Sequence, residues 1–142
     1  KTWNDGPFGR DKDFYGDRNE NRNALTTIAT AKLMHSLMNG CLLKPKATQN
    51  ITRILSRSLD LVKRKQDLEN QIDGFLGEGL PVGSNLWSKA GLMSEVRNDA
   101  AFFSTPNGHK MILVVFTQGK SLARDTFLLP AIASELSQWS FQ

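Results

Sequence analysis

The chain has 142 residues, enough to enclose one modest core and too few for several compact domains. Hydrophobic residues make up 39% and charged residues 23%, which excludes an intrinsically disordered chain, and no apolar stretch approaches the roughly 20 residues of a membrane-spanning helix. A net charge of +4 is spread along the chain and names no anionic partner, while a single cysteine, Cys41, excludes an internal disulfide and a cysteine-based zinc site.

Residues 1–23 are rich in Gly, Asp, Asn and Arg and lack periodicity, so they read as a long loop or tail in which Trp3, Phe8, Phe14 and Tyr15 can pin polar chain to a surface. From Leu25 the pattern becomes helical, with Leu25, Ala29, Leu33 and Leu37 recurring every fourth residue. Asn23 or Thr26 can cap this helix and Gly40 can close it. A second helix is predicted over Ala47–Leu59 and a third helical pattern over Leu61–Phe75, broken by Gly74, Gly77 and Gly79. The basic run Lys63-Arg64-Lys65 is followed by Asp67, Glu69 and Asp73, which favours a solvated helix face over a nucleic-acid patch. His35 and His109 lie far apart and read as surface or packing residues rather than metal ligands.

After Pro81 the grammar changes to strands. Asn85–Lys89 is a short strand leading into Ala90-Gly91, and Asn98–Ser104 and Lys110–Thr117 are two more, joined by Thr105-Pro106-Asn107-Gly108. Asn and Gly tolerate the positive φ of a tight turn, so these two strands are predicted to form an antiparallel hairpin. Helical spacing returns from Ser121 through Leu136, and Pro130 requires that helix either to start near it or to kink there.

Lys89-Ala90-Gly91, then Val96-Arg97-Asn98-Asp99-Ala100, then Pro106-Asn107-Gly108, then Ile112 to Thr117 follow one another as the corresponding motifs do in a known family. The chain resembles the C-terminal half of class A β-lactamases and their penicillin-binding transpeptidase-like relatives, which carry a Lys-Thr-Gly or Lys-Ser-Gly triad on an inner strand beside the nucleophile. The likeness extends back to Leu25–Leu43, which is similar to the helix after the family's omega loop, and it leaves Leu61–Phe75 as an enlarged connection. It implies an α+β fold in which three antiparallel strands from this chain pack on a C-terminal helix. The expected organisation is a single domain or half-domain, with residues 1–23 an omega-like loop, 24–76 helical, and 84–142 strands and C-terminal helix.

The resemblance assigns Lys89 as the catalytic lysine beside the nucleophile, with Ala90, Gly91, Leu92 and Arg97 on the substrate side. A lysine ammonium there attracts a substrate carboxylate, a glycine lets backbone lie close, and the Leu92 N–H can point into an oxyanion hole. Ala90 replaces the family's hydroxyl, and Arg97 either meets a substrate carboxylate or pairs with Glu95 or Asp99. Trp3-Asn4-Asp5 faintly echoes the omega-loop Trp-Glu-Pro, making Asp5 a candidate base against a reading as a capping or solvated carboxylate.

Neither Ser-x-x-Lys nor Ser-Asp-Asn occurs in these 142 residues, so acyl transfer is not expected of the chain alone. The chain opens on Lys1 and shows no signal peptide, so a processed, trimmed or dissected product is expected. The expected partners are an N-terminal half of the same fold, or a second copy, covering an exposed sheet edge, and a small acyl substrate. Neither nucleic acid nor a membrane span is expected, and the resemblance implies no cofactor and no metal. Family members are typically periplasmic or secreted. A catalytically silent binding module with the same cleft is the alternative.

Overall fold

The computed structural model describes residues 24–67 and 70–139. The omega-like segment 1–23, with Asp5, lies outside them. Helix α1 spans Thr27–Met38. Thr26 caps it by accepting the Ala29 N–H at 3.1 Å. Its far end closes as the sequence suggested, with Gly40 at φ +70° and the N–H groups of Gly40 and Cys41 returning to the carbonyls of Leu37 and Ser36. Met34 and Leu37 are buried.

Helix α2 runs Pro45–Leu55, starting two residues before the expected Ala47 because proline suits the first helical turn, where its missing N–H has no partner to lose. It also ends earlier than predicted. Ser56 and Arg57 form strand β1, which pairs with Trp87 and Leu86, so these two residues leave the helix to satisfy the outer edge of the next strand.

The third helical stretch is corrected too: helix α3 covers only Leu61–Gln66, capped by the Asp60 carboxylate, which accepts from Val62 and Lys63. Beyond it Asn70 accepts the N–H groups of Ile72 and Asp73, and Gly74 takes φ +73°, a turn geometry incompatible with helix. Ile72 and Phe75 reach the interior from this irregular backbone. A 3-10 turn at Leu76–Gly79 follows.

Strands β2 (Asn85–Leu92), β3 (Arg97–Ser104) and β4 (Lys110–Val115) complete an antiparallel sheet in the order β1-β2-β3-β4, one short strand more than the three expected. The β3–β4 turn has Gly108 at φ +84° donating to the Thr105 carbonyl at 2.9 Å, as the Pro-Asn-Gly sequence predicts. Helices α4 (Lys120–Arg124) and α5 (Leu128–Ser137) close the chain. Pro130 is the third residue of α5, so the helix starts near it rather than kinking.

Alternation along the strands separates two sheet faces. Leu86, Ala90, Ala101 and Phe103 point into a core completed by Phe75, Leu76, Leu129 and Ala133, so α5 seals this face. On the other face, α1 and α2 stand opposite Lys89, Gly91, Asn98 and Ala100.

Candidate active-site cleft

Lys89 pairs with Ala100 and Gly91 with Asn98 across β2 and β3, which puts all four on the face toward α1. They line a groove of about 450 Å³ whose other wall is apolar, with Leu33, Met34 and Leu37 from α1, Ile51 and Leu55 from α2, and Phe116 after β4. Lys89 is exposed at the rim, and its ammonium folds back on the Ala90 carbonyl. A cation thus stands beside an apolar chamber open to solvent, an arrangement suited to a small ligand with an apolar body and an anionic or polar end.

Ala90 borders the same groove but is only 4% exposed, its methyl belonging to the core on the opposite face. Leu92 and Arg97 form the last β2–β3 pair and line a separate cleft with Met93, Lys120 and Arg124. The structure therefore brings Lys89, Ala90 and Gly91 together and places Leu92 and Arg97 in the neighbouring cleft.

Arg97 does not make the expected pair with Glu95 or Asp99. It is 6% exposed, its Nε donates to the Ala123 carbonyl at 3.1 Å, its Nη1 donates to the Gly74 carbonyl at 3.1 Å, and the guanidinium lies 4.9 Å from the centre of the Phe75 ring. Its peptide N–H also donates to the Thr117 hydroxyl. Arg97 thus ties α4, the Gly74 turn and the end of β4 to β3, while Glu95 lies 4.0 Å from Lys120.

Asp99, which the sequence offered within the Val96–Ala100 motif and as a partner for Arg97, is a buried ionisable group beside the triad. It sits opposite Ala90, is 1% exposed, and accepts the Leu76 N–H at 3.1 Å. Burial pushes its carboxyl up to about 6, against the opposing pull of backbone N–H groups and the charges of Arg57 and Lys89. The signal was present in the sequence, since Asp99, Ala101 and Phe103 share one period-two face. Among the described residues no group of three or more His, Cys, Asp or Glu side chains could hold a metal ion, and no helix is long and apolar enough to cross a membrane.

The Beta-lactamase2 model, described as the β-lactamase enzyme family, matches residues 8–139. The chain belongs to the β-lactamase enzyme family. Its hydrolase fold is shared with a β-lactamase from Burkholderia vietnamiensis at a TM-score of 0.66 and 18% identity, over 87% of this chain and 45% of that one. A β-lactamase from Xanthomonas campestris pv. campestris gives 0.63 and 25% over 86% and 43%. PBP-A, solved as an acyl-enzyme complex with penicillin G, gives 0.61 and 21% over 78% and 38%. The chain thus spans less than half the length of these β-lactamase-like structures. Comparison with curated proteins gives no match.

Proposed function

We propose that this chain is the C-terminal portion, a half-domain, of a β-lactamase-like serine hydrolase that transfers an acyl group from an amide or ester, including a β-lactam, to water. The observation that carries this reading is Lys89 at the rim of the apolar groove, on a strand paired with the Arg97–Ser104 hairpin arm. The substrate's acyl body would enter the groove, the Lys89 ammonium would attract its anionic end, Gly91 would let the strand backbone lie against it, and the Leu92 N–H, which lies in the plane of the sheet and not on the face its side chain takes, would complete the oxyanion hole. The serine oxygen would come from a polypeptide bearing Ser-x-x-Lys seated against α1 and α2. It would attack the acyl carbon, expel the amine or alcohol, and leave an ester that water cleaves to acid and free serine. Strand β4 pairs only with β3 among the described strands, so its outer edge is the place for further strands of that polypeptide or of a second copy.

The test is to read the coding sequence upstream of Lys1, then to combine the resulting polypeptide with this chain and follow a chromogenic β-lactam. Upstream Ser-x-x-Lys and Ser-x-Asn motifs, turnover only in the combination, and a loss of roughly 100-fold in Lys89→Ala are expected. Turnover by the chain alone, at one of its own residues, would overturn the reading. A catalytically silent module with the same cleft is the second reading, favoured by Ala90, which puts a core methyl where the family has a hydroxyl. Ligand binding without turnover in the combination would select it.

A further inference from the structure

The enlarged connection between α2 and β2 builds a second cleft, of about 170 Å³, between β1, α3 and residues 70–72. Arg57, Lys63 and Arg64 line it, with Asp67 the one carboxylate on its wall among the described residues. Arg57 is held by the Ile54 carbonyl at 3.3 Å, by Gln71 Oε1 at 3.1 Å and by the Ser88 carbonyl at 3.2 Å, and Arg64 pairs with Asp73 through one terminal nitrogen. In both arginines the Nε–H is buried without an acceptor among the described residues. Buried charged donors are normally satisfied, so two orphans on side chains lining one polar cleft call for acceptors that the described residues do not supply.

We propose that this cleft binds a small oxyanion, a phosphate or carboxylate group, between Arg57, Lys63 and Arg64. Three cations, set against Asp67 on the wall and the Asp73 carboxylate paired with Arg64, leave the described part of the cleft with an excess of positive charge, and a guanidinium fork matches the geometry of an oxyanion. The volume suits a single such group and is below that of ordinary drug-sized pockets. Because Arg57 also holds the carbonyl of Ser88, the residue before Lys89, the anion would be felt at the start of the triad.

The test is titration of the full chain with sodium phosphate, sodium acetate or sodium chloride at matched ionic strength, following the amide resonances of Arg57, Ser88 and Lys89. A saturable shift is expected with phosphate or acetate and not with chloride. The anion that saturates at lower concentration identifies a phosphate or a carboxylate ligand. Lys63→Gln, at an exposed side chain whose loss leaves the sheet intact, should weaken binding by about tenfold or more, and Arg64→Gln likewise. Lys65→Gln, outside the cleft, should leave it unchanged. No saturable shift with either anion, or equal binding by Lys63→Gln and Lys65→Gln, would overturn the proposal and leave the cleft to water.

Discussion

On the α5 face of the sheet, Leu86, Ala101 and Phe103 meet Leu129 and Ala133 with essentially no solvent contact, whereas on the α1 face Lys89, Gly91 and Ala100 look into a groove whose walls include the partly exposed Leu33 and Phe116. The same strands make both faces, so the difference lies in what covers them. The first face packs these side chains against α5 and therefore holds the fold. The second leaves apolar surface and a cation open, which costs stability.

Substitutions on each face should separate these roles, beginning with the tightest contact. A Cβ at Gly79 would stand 1.9 Å from the Pro130 carbonyl oxygen, where α5 crosses the 3-10 turn, and backbone cannot yield as a flexible side chain would. Gly79→Ala should cost roughly 4 kcal/mol in urea unfolding. Leu129→Ala should cost about 3 kcal/mol by the same measurement, through a cavity beneath a residue that is 0% exposed. Near-native stability in both variants would break the view that the α5 face holds the fold.

Beside Arg97, Asp99 is a second buried ionisable group on the sealed face. Its folded carboxyl lies at about 6 against an ordinary 3.8, so the folded state holds this proton more tightly than the unfolded state. Its contribution is therefore favourable below about pH 4, declines as pH rises through the window from about 4 to 6, and above that window amounts to a penalty of order 3 kcal/mol. Asp99→Asn keeps an acceptor for the Leu76 N–H and removes the charge. It should flatten that part of the pH–stability curve and raise stability at pH 7 by up to about 3 kcal/mol. An unchanged slope between pH 4 and 6 would place the titration elsewhere.

The smallest effect is expected on the open face. Leu33 is 45% exposed, so Leu33→Ala should cost under about 1 kcal/mol while weakening whatever occupies the groove. A loss comparable to that of Leu129→Ala would show that the groove wall is core.

How far the sequence carried these features depends on the range of the interactions behind them. The β3–β4 hairpin was legible because Pro106-Asn107-Gly108 carries its own turn chemistry, and α1 because Thr26 and Gly40 mark its ends. Strand β1 was not, since Ser56 and Arg57 take extended geometry to pair with Leu86 and Trp87, some thirty residues away. The helix expected through Phe75 failed because the Asn70 and Gly74 turn carries Ile72 and Phe75 into the core, and helical spacing does not weigh that competition. In the cleft, Lys89-Ala90-Gly91 was legible through family resemblance. The split between the two clefts follows from strand alternation at the end of β2, where Leu92 and Arg97 fall on the face opposite Lys89. Asp99 was passed over because Arg97 offered a neighbouring charge, whereas Arg97 spends its guanidinium on two backbone carbonyls.

The open α1 face as half of an acyl-transfer site is tested most directly by intact-protein mass spectrometry after penicillin G is added to this chain together with the polypeptide encoded upstream. The account predicts a penicilloyl adduct on the serine of the added Ser-x-x-Lys segment, formed only when both polypeptides are present and slowed by Lys89→Ala. An adduct that forms at the same rate without this chain, or that attaches to one of its own residues, would contradict it.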